Sequence, residues 1–242
     1  MMKKGTRVRT RYLVAQRTLI VRLGGRRRVL SSAPQGGGFR HASHILNHQV
    51  EPNPGAHDAS GRLFADPARF LRRLAAHYDI GSGTVGLMTA VPLTQLVTAR
   101  VSSGSLWVEC FATVGVTNAV RAGEWPSQQA PRRRAASPGT INLIVVTNGS
   151  LSDAALVGAV QVATEAKTGV LRDHLVPSCH SGLQATGTGT DAVVIACRVR
   201  GEGPRHLYSG THTILGALIG QTVADCVSRG LEKAKRWREK HR

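Results

Sequence analysis

Aromatic residues are scarce in this chain. Phe, Trp and Tyr together make up 4% of its 242 residues. Nucleic-acid readers commonly interleave rings with basic residues so that bases can stack, and that pattern is missing. Acidic residues are few as well, 14 against 32 Lys and Arg, for a formal net charge of +18. The charge is uneven: residues 1–28 hold ten Lys or Arg and no acid, and 229–242 hold seven against two Glu. Basic, solvated ends account for most of the excess, so specific nucleic-acid binding is not expected. No apolar run approaches the length of a membrane-spanning helix. The basic N-terminal residues precede no apolar stretch with a small-residue cleavage site, so no secretory signal is expected. The four cysteines (Cys110, Cys179, Cys197 and Cys226) contain no C-x-x-C pair. That spacing argues against a zinc site or a disulfide framework and for a reduced, cytoplasmic chain. A G-x-G-x-x-G turn between a strand and a helix is also missing, which argues against a doubly wound dinucleotide fold.

What is present suits a single globular domain. Hydrophobic residues make up 41% of the chain, enough at this length for a sizeable core. The organisation reads as a basic segment over 1–16, a domain over 17–230 and a basic helix end over 231–242. A Pro/Gly-rich loop spans 52–62, and an exposed Pro/Arg-rich loop spans 121–138. Thr18–Leu23 and Arg28–Ser32 flank Gly24-Gly25, the pattern of a two-residue hairpin. His41, His44 and His48 fall at i, i+3 and i+7 and would share one face of a helix. No acidic residue sits at a matching helical offset, so surface or cleft lining is the better reading than a metal site. Pro67 opens a short amphipathic helix through Tyr78. Strands are expected at Val85–Ala90, Leu96–Val101, Leu106–Val114 and Thr140–Thr147, with Asn148-Gly149 as a turn. Ser150 and Asp153 resemble a capping box ahead of a helix over about 152–172, with Leu156, Val160, Ala163, Lys167 and Val170 on one stripe. Another strand covers 191–199. A final long helix carries Leu215, Ile219, Val223, Cys226 and Gly230 on one face. Several neighbouring strands followed by two late strand–helix units predict an α+β fold: a layered sandwich with a mostly antiparallel or mixed sheet.

Polar groups interrupt this apolar pattern at a few places. Ala185-Thr-Gly-Thr-Gly-Thr-Asp191 delivers hydroxyls, glycines and one carboxylate to the mouth of an apolar strand. Glu165 and Lys167 lie inside a helix, Asn118 follows a strand, and His212 opens the last helix. A carboxylate facing a cleft can act as a general base, and a helix N-terminus offers N–H groups to an oxyanion. Threonine hydroxyls become nucleophiles only beside a base.

Six blocks, in order over roughly residues 18–228, resemble the adenosylcobinamide amidohydrolase family. They are Ser31-Ser32 with Gly36-Gly37, Ala112-Thr-Val-Gly-Val-Thr-Asn118, Pro138-Gly-Thr-Ile-Asn142, Ala163-Thr-Glu-Ala-Lys-Thr168, the Ala185–Asp191 loop and Tyr208-Ser-Gly-Thr-His-Thr213. The resemblance implies hydrolysis of the amide that joins aminopropanol to the corrin ring of adenosylcobinamide. Adenosylcobyric acid would be released for corrinoid salvage. The cobalt belongs to the substrate, so no cofactor or protein-bound metal is implied. Glu165 or Asp191 is the expected base, with Lys167 and His212 assisting. The attacking group, a Thr or Ser hydroxyl or a water, is left open. Corrin amides would pair with Asn side chains, hydroxyls and glycine-exposed backbone. The matching blocks make Ser32, Gly36, Gly37, Asn118, Asn142, Thr188, Thr190 and Thr211 the candidate substrate contacts. The rival reading is a corrinoid-binding protein without hydrolysis. A homo-oligomer is compatible with the sequence.

Overall fold

A run of β-branched and apolar residues at Ile141–Leu151 forms β8, the strand on which the rest is built. The computed structural model describes residues 10–50, 66–81, 83–125 and 139–240. The expected loop at 52–62 and most of that at 121–138 lie outside the described residues. In chain order the other strands are β1 (Arg11–Ala15), β2 (Thr18–Ser31), β3 (Gly38–Gln49), β4 (Thr84–Thr89), β5 (Val97–Ser103), β6 (Leu106–Val114), β7 (Ala119–Val120), β9 (Gly187–Thr188), β10 (Ala192–Arg198) and β11 (Arg205–His206). The helices are α1 (Pro67–His77), α2 (Asp153–Asp173) and α3 (Ile214–Lys240).

The main sheet runs β4-β3-β2-β10-β8-β6-β5, with β1 added on β2 and β11 on β8. It is mixed. β10 lies parallel to β8 and β3 parallel to β4, while β2, β6 and β5 pair antiparallel with their neighbours. β7 and β9 form a separate antiparallel pair. The sheet folds back on itself. One core joins Leu19, Val21, Ile45 and Leu87 of the β2–β4 half to Phe111, Ile144, Val146 and Val194 of the other half. The outer face of β5, β6, β8 and β10 packs under α2 and α3. The outer face of β2 and β3 packs under α1 through Ile20, Leu46 and Ala75. Helix, two sheet layers and helices therefore stack in order, and this is the α+β sandwich that the pattern predicts. Each strand with both faces covered reads as a continuous apolar run, as β8 and β10 do.

Three local expectations are corrected. Gly24 and Gly25, at φ +69° and +132°, do not close a hairpin. They form a bulge inside the single strand β2, whose register against β3 shifts between Arg22 and Arg27. Glycine suits either device, because both need positive φ. The bulge divides β2: residues before it pair with β1, and residues after it pair with β10. Residues 39–48 are strand, not helix, so His41 stands on one face of β3 and His44 and His48 on the other. Asn148-Gly149 does not turn the chain. β8 runs through it to Leu151, and Ser152, not Ser150, caps α2 by accepting the Ala155 N–H at 3.0 Å.

Candidate active site

The Asp191 carboxylate, at the entrance to β10, gathers groups from three other segments. Its Oδ1 accepts the backbone N–H of Ile141, the first residue of β8, at 2.9 Å, and also the Thr188 hydroxyl. Its Oδ2 accepts the Thr188 N–H at 3.0 Å and the Lys167 ammonium at 2.5 Å. The pair is well shielded: the side chains of Lys167 and Asp191 are 7% and 12% exposed. Taking two charges out of water costs several kcal/mol per ion, and only close pairing with full hydrogen bonding offsets it. Four donors on one carboxylate meet that condition.

Each element contributes for a local reason. Lys167 lies on the stripe of α2 that also buries Leu156, Ala163 and Val170, so helical period alone turns its ammonium inward. The loop before β10 is held by β7–β9 pairing, with Ala119 opposite Thr188 and Val120 opposite Gly187. Gly187 leaves the space that the pair occupies: a Cβ there would stand 2.6 Å from Asp191 Oδ2 and 2.8 Å from Lys167 Nζ. Further hydroxyls surround the carboxylate. Thr140 Oγ1 donates to the Thr190 carbonyl at 3.0 Å and lies 3.1 Å from Thr190 Oγ1. Thr168 Oγ1 donates to the Thr186 carbonyl at 2.9 Å. Asn118 lies over Gly139, whose Cβ would fall 2.0 Å from Asn118 Oδ1. At the rim, Glu124 accepts hydroxyls from Ser178, at 2.5 Å, and Ser181. These two bonds hold its carboxyl below the usual carboxylate range and tie segment 121–124 to 178–184.

Such a cluster can hold an amide carbonyl beside a cation, with hydroxyl and carboxylate within one hydrogen bond of each other. A model of the adenosylcobinamide amidohydrolase family matches residues 2–239. The chain belongs to that family. An adenosylcobinamide amidohydrolase of Methanosarcina mazei is 30% identical over 91% of this chain and 97% of its own. An uncharacterized protein of Methanocaldococcus jannaschii is 29% identical over 90% and 86%. An adenosylcobinamide amidohydrolase of Halobacterium salinarum is 37% identical over 52% of this chain and 50% of its own.

Within this amidohydrolase-family chain, Asp191, Lys167, Thr188, Thr190 and Asn118 converge, and other nominated residues do not. Glu165 is exposed, with no hydrogen bond or ion pair to a described residue. Residues two apart on a helix point in nearly opposite directions, so burying Lys167 exposes Glu165. His212 and Thr211 are exposed at the start of α3. That turn lies at the other end of the sheet, where Ser209 Oγ bonds the Ala155 carbonyl of α2 at 2.6 Å and Ser152 N bonds the His206 carbonyl. Most of the length of β8 separates it from Asp191, about 30 Å at strand rise. The shared cleft expected for His212 and Asp191 is therefore absent: β10 carries the chain away from Asp191, and β11 pairs with Ser150 and Leu151 at that far end before α3 begins.

Asn142 is 1% exposed and points between the two sheet layers. Its Nδ2 donates to Asn47 Oδ1 at 3.0 Å and to the Met88 carbonyl at 2.7 Å, while Asn47 bonds Thr113. It ties the layers together, and its buried Oδ1 has no hydrogen-bond partner among the described residues. Ser32 latches β10 through Val193, whose N–H meets its Oγ at 3.0 Å. Gly36, at φ +76°, lies against Thr84 and Val85, and Gly37 lies against the Ala33 carbonyl. All three sit at the Asp191 end of β10, and their contacts are mostly to backbone. Thr140 was missed as a site residue; its signal was a hydroxyl at the first position of the clearest expected strand, inside a block already singled out. Among the described residues no group of three His, Cys, Asp or Glu could hold a metal ion, and no helix is long and apolar enough to cross a membrane.

Proposed function

We propose that this protein hydrolyses the amide joining aminopropanol to the corrin ring of adenosylcobinamide, releasing adenosylcobyric acid for cobamide salvage in the cytoplasm. The observation that carries the reading is the shielded Lys167–Asp191 pair with the Thr188 hydroxyl on the same carboxylate, in a chain of the amidohydrolase family.

The geometry favours a hydroxyl over a water as the attacking group. All four lone-pair directions of Asp191 are taken, so it reaches a new proton only through a donor already bound. Thr188 Oγ–H is the neutral hydroxyl among those donors, and a hydroxyl nucleophile needs such a base. As Thr188 Oγ bonds to the amide carbon, its proton passes to Asp191. Lys167 stands beside the oxygen that gains charge. The C–N bond then breaks, and the departing amine takes the proton from Asp191. Water cleaves the resulting Thr188 ester, yielding the free propionate and restoring the hydroxyl. Asn118 and Thr190 would pair with amides on the corrin rim. The reaction draws on no resident metal, and the cobalt is the substrate's.

Incubation with adenosylcobinamide followed by mass spectrometry tests this reading. Adenosylcobyric acid and aminopropanol should accumulate, and a metal chelator should leave the rate unchanged. Retention of intact adenosylcobinamide without turnover would make the protein a corrinoid binder instead. Thr188→Ser should keep turnover that Thr188→Ala loses.

A further inference from the structure

At the end of β10 opposite Asp191, a cleft of about 670 Å³ opens around the Gly24-Gly25 bulge, with Arg26, Arg27, His41, Arg198 and Glu202 on its walls. Seven residues of β10, about 23 Å at strand rise, separate it from the candidate active site. Its charge is only partly compensated. Neighbouring Arg28 and Arg200 both reach Asp153. Among the described residues Arg26, Arg27 and Arg198 form no ion pair within 4 Å of their guanidinium nitrogens, and Glu202 is the one acid lining the cleft.

The arginines are positioned, not merely exposed. Half-buried Arg27 donates Nε to the Leu23 carbonyl at 3.1 Å and Nη1 to the Thr147 carbonyl at 3.4 Å. Arg198 lies over Gly203, where a Cβ would stand 3.0 Å from its Cδ and 2.6 Å from the Asn148 carbonyl oxygen. Its Nε is buried with no hydrogen-bond partner. A buried donor without a partner is unfavourable, and two guanidiniums facing one cleft repel. Burial first, and then Arg198, lower the Arg27 pKa, and Glu202 opposes them in part. An oxyanion would relieve the repulsion, since guanidinium forks match the geometry of phosphate oxygens.

We propose that this cleft is a binding site for a small phosphate-class oxyanion, either free phosphate or a phosphate monoester, held by Arg27 and Arg198. The inference does not rest on the hydrolase reading, because the site lies apart from Asp191 and its test needs no corrinoid.

The test is calorimetric titration of the full-length protein with inorganic phosphate, and separately with adenosine monophosphate, near physiological ionic strength. Saturable binding of one anion per chain is expected. Arg198→Gln and Arg27→Gln should each weaken it about tenfold or more, as loss of a charge-assisted hydrogen bond does. Arg198→Lys, which keeps the charge but loses the fork, should weaken it too and covers the case in which a Gln variant does not fold. Arg236→Gln, on the exposed face of α3, should leave it unchanged. Tighter binding of the nucleotide identifies a monoester as the ligand; equal or weaker binding identifies free phosphate. Binding that does not saturate, or that falls equally in Arg236→Gln, would overturn the proposal and leave only the general attraction of a +18 chain.

Discussion

A single missing Cβ makes room for the ion pair of the candidate active site. At Gly187 the space a methyl group would fill is already held by Asp191 Oδ2 and Lys167 Nζ. Gly187→Ala is expected to part the pair and lower kcat at least tenfold, because an active-site group displaced by about 1 Å commonly loses more than that. Circular dichroism should still report a folded chain; unchanged kcat would separate the pair from the chemistry. Asp191→Asn and Lys167→Gln should each reduce turnover about 10²–10⁴-fold. Each also leaves a shielded group without its partner, so a fall in Tm should accompany them. Glu165→Gln should retain near wild-type turnover, although Glu165 stands two residues from Lys167, because its side chain meets water. Steady-state kinetics on the three variants decides between the carboxylates.

At the scale of elements, β3 explains a pH dependence. In a strand His48 is half-buried under α1 beside Phe70, with ring centroids 5.2 Å apart, and its Nδ1 lies 2.9 Å from Thr18 Oγ1. Burial first, and then the charge of Arg17, lower its pKa to about 4. The folded state thus binds a proton on His48 less readily than the unfolded chain, whose histidine titrates near 6.5. The stabilising contribution is complete above about pH 6.5 and disappears as the pH falls toward 4. Tm should drop between pH 7 and pH 5, and His48→Asn should flatten that slope; an equal slope in both proteins would assign it to other groups.

The same strand shows what was legible in the sequence. Period identified β6, β8, α2 and the apolar stripe of α3, because each buries a regular face. Three histidines at helical spacing misled, since that spacing also fits a strand whose inner face carries Ile45 and Asn47. Lys167 and Asp191 stood out as polar interruptions of apolar elements, and tertiary burial is what made them meet. His212 stood out for the same reason, yet strand β10 lies between it and Asp191, and the pairing of β11 with the far end of β8, which local pattern does not encode, keeps the chain there. Asn142 looked like a ligand contact because a buried cross-layer tie and a binding amide leave the same mark in a strand.

For the whole molecule, the basic ends are not equivalent to a disposable fringe. β1 pairs with β2, and its Tyr12 ring meets Phe111 edge to face at 5.2 Å. At the other terminus α3 continues through Lys240, with Leu231 and Ala234 buried. Gly230 lets α3 approach β6, because a Cβ there would stand 2.5 Å from Val114 Cγ2. Beyond that crossing, Ala234 and Trp237 line a small cavity with Val114, Gly115, Val116 and Thr117. Those residues lead directly into Asn118 and β7, which pairs with the Thr188 segment of the site. The sequence pattern suggests that residues 1–15 and 234–242 can be removed with catalysis intact, because they hold much of the excess charge and none of the shared blocks. The packing predicts otherwise. A chain ending at Lys233 loses Ala234 and Trp237, roughly 2 kcal/mol of apolar burial, so Tm should fall by roughly 4–8 °C. Turnover of adenosylcobinamide should fall with it, since the 115–118 turn loses its support. A chain ending at Arg238 keeps both contacts and should match the full-length protein in Tm and turnover. If the two truncations behave alike, the end of α3 does not brace the site.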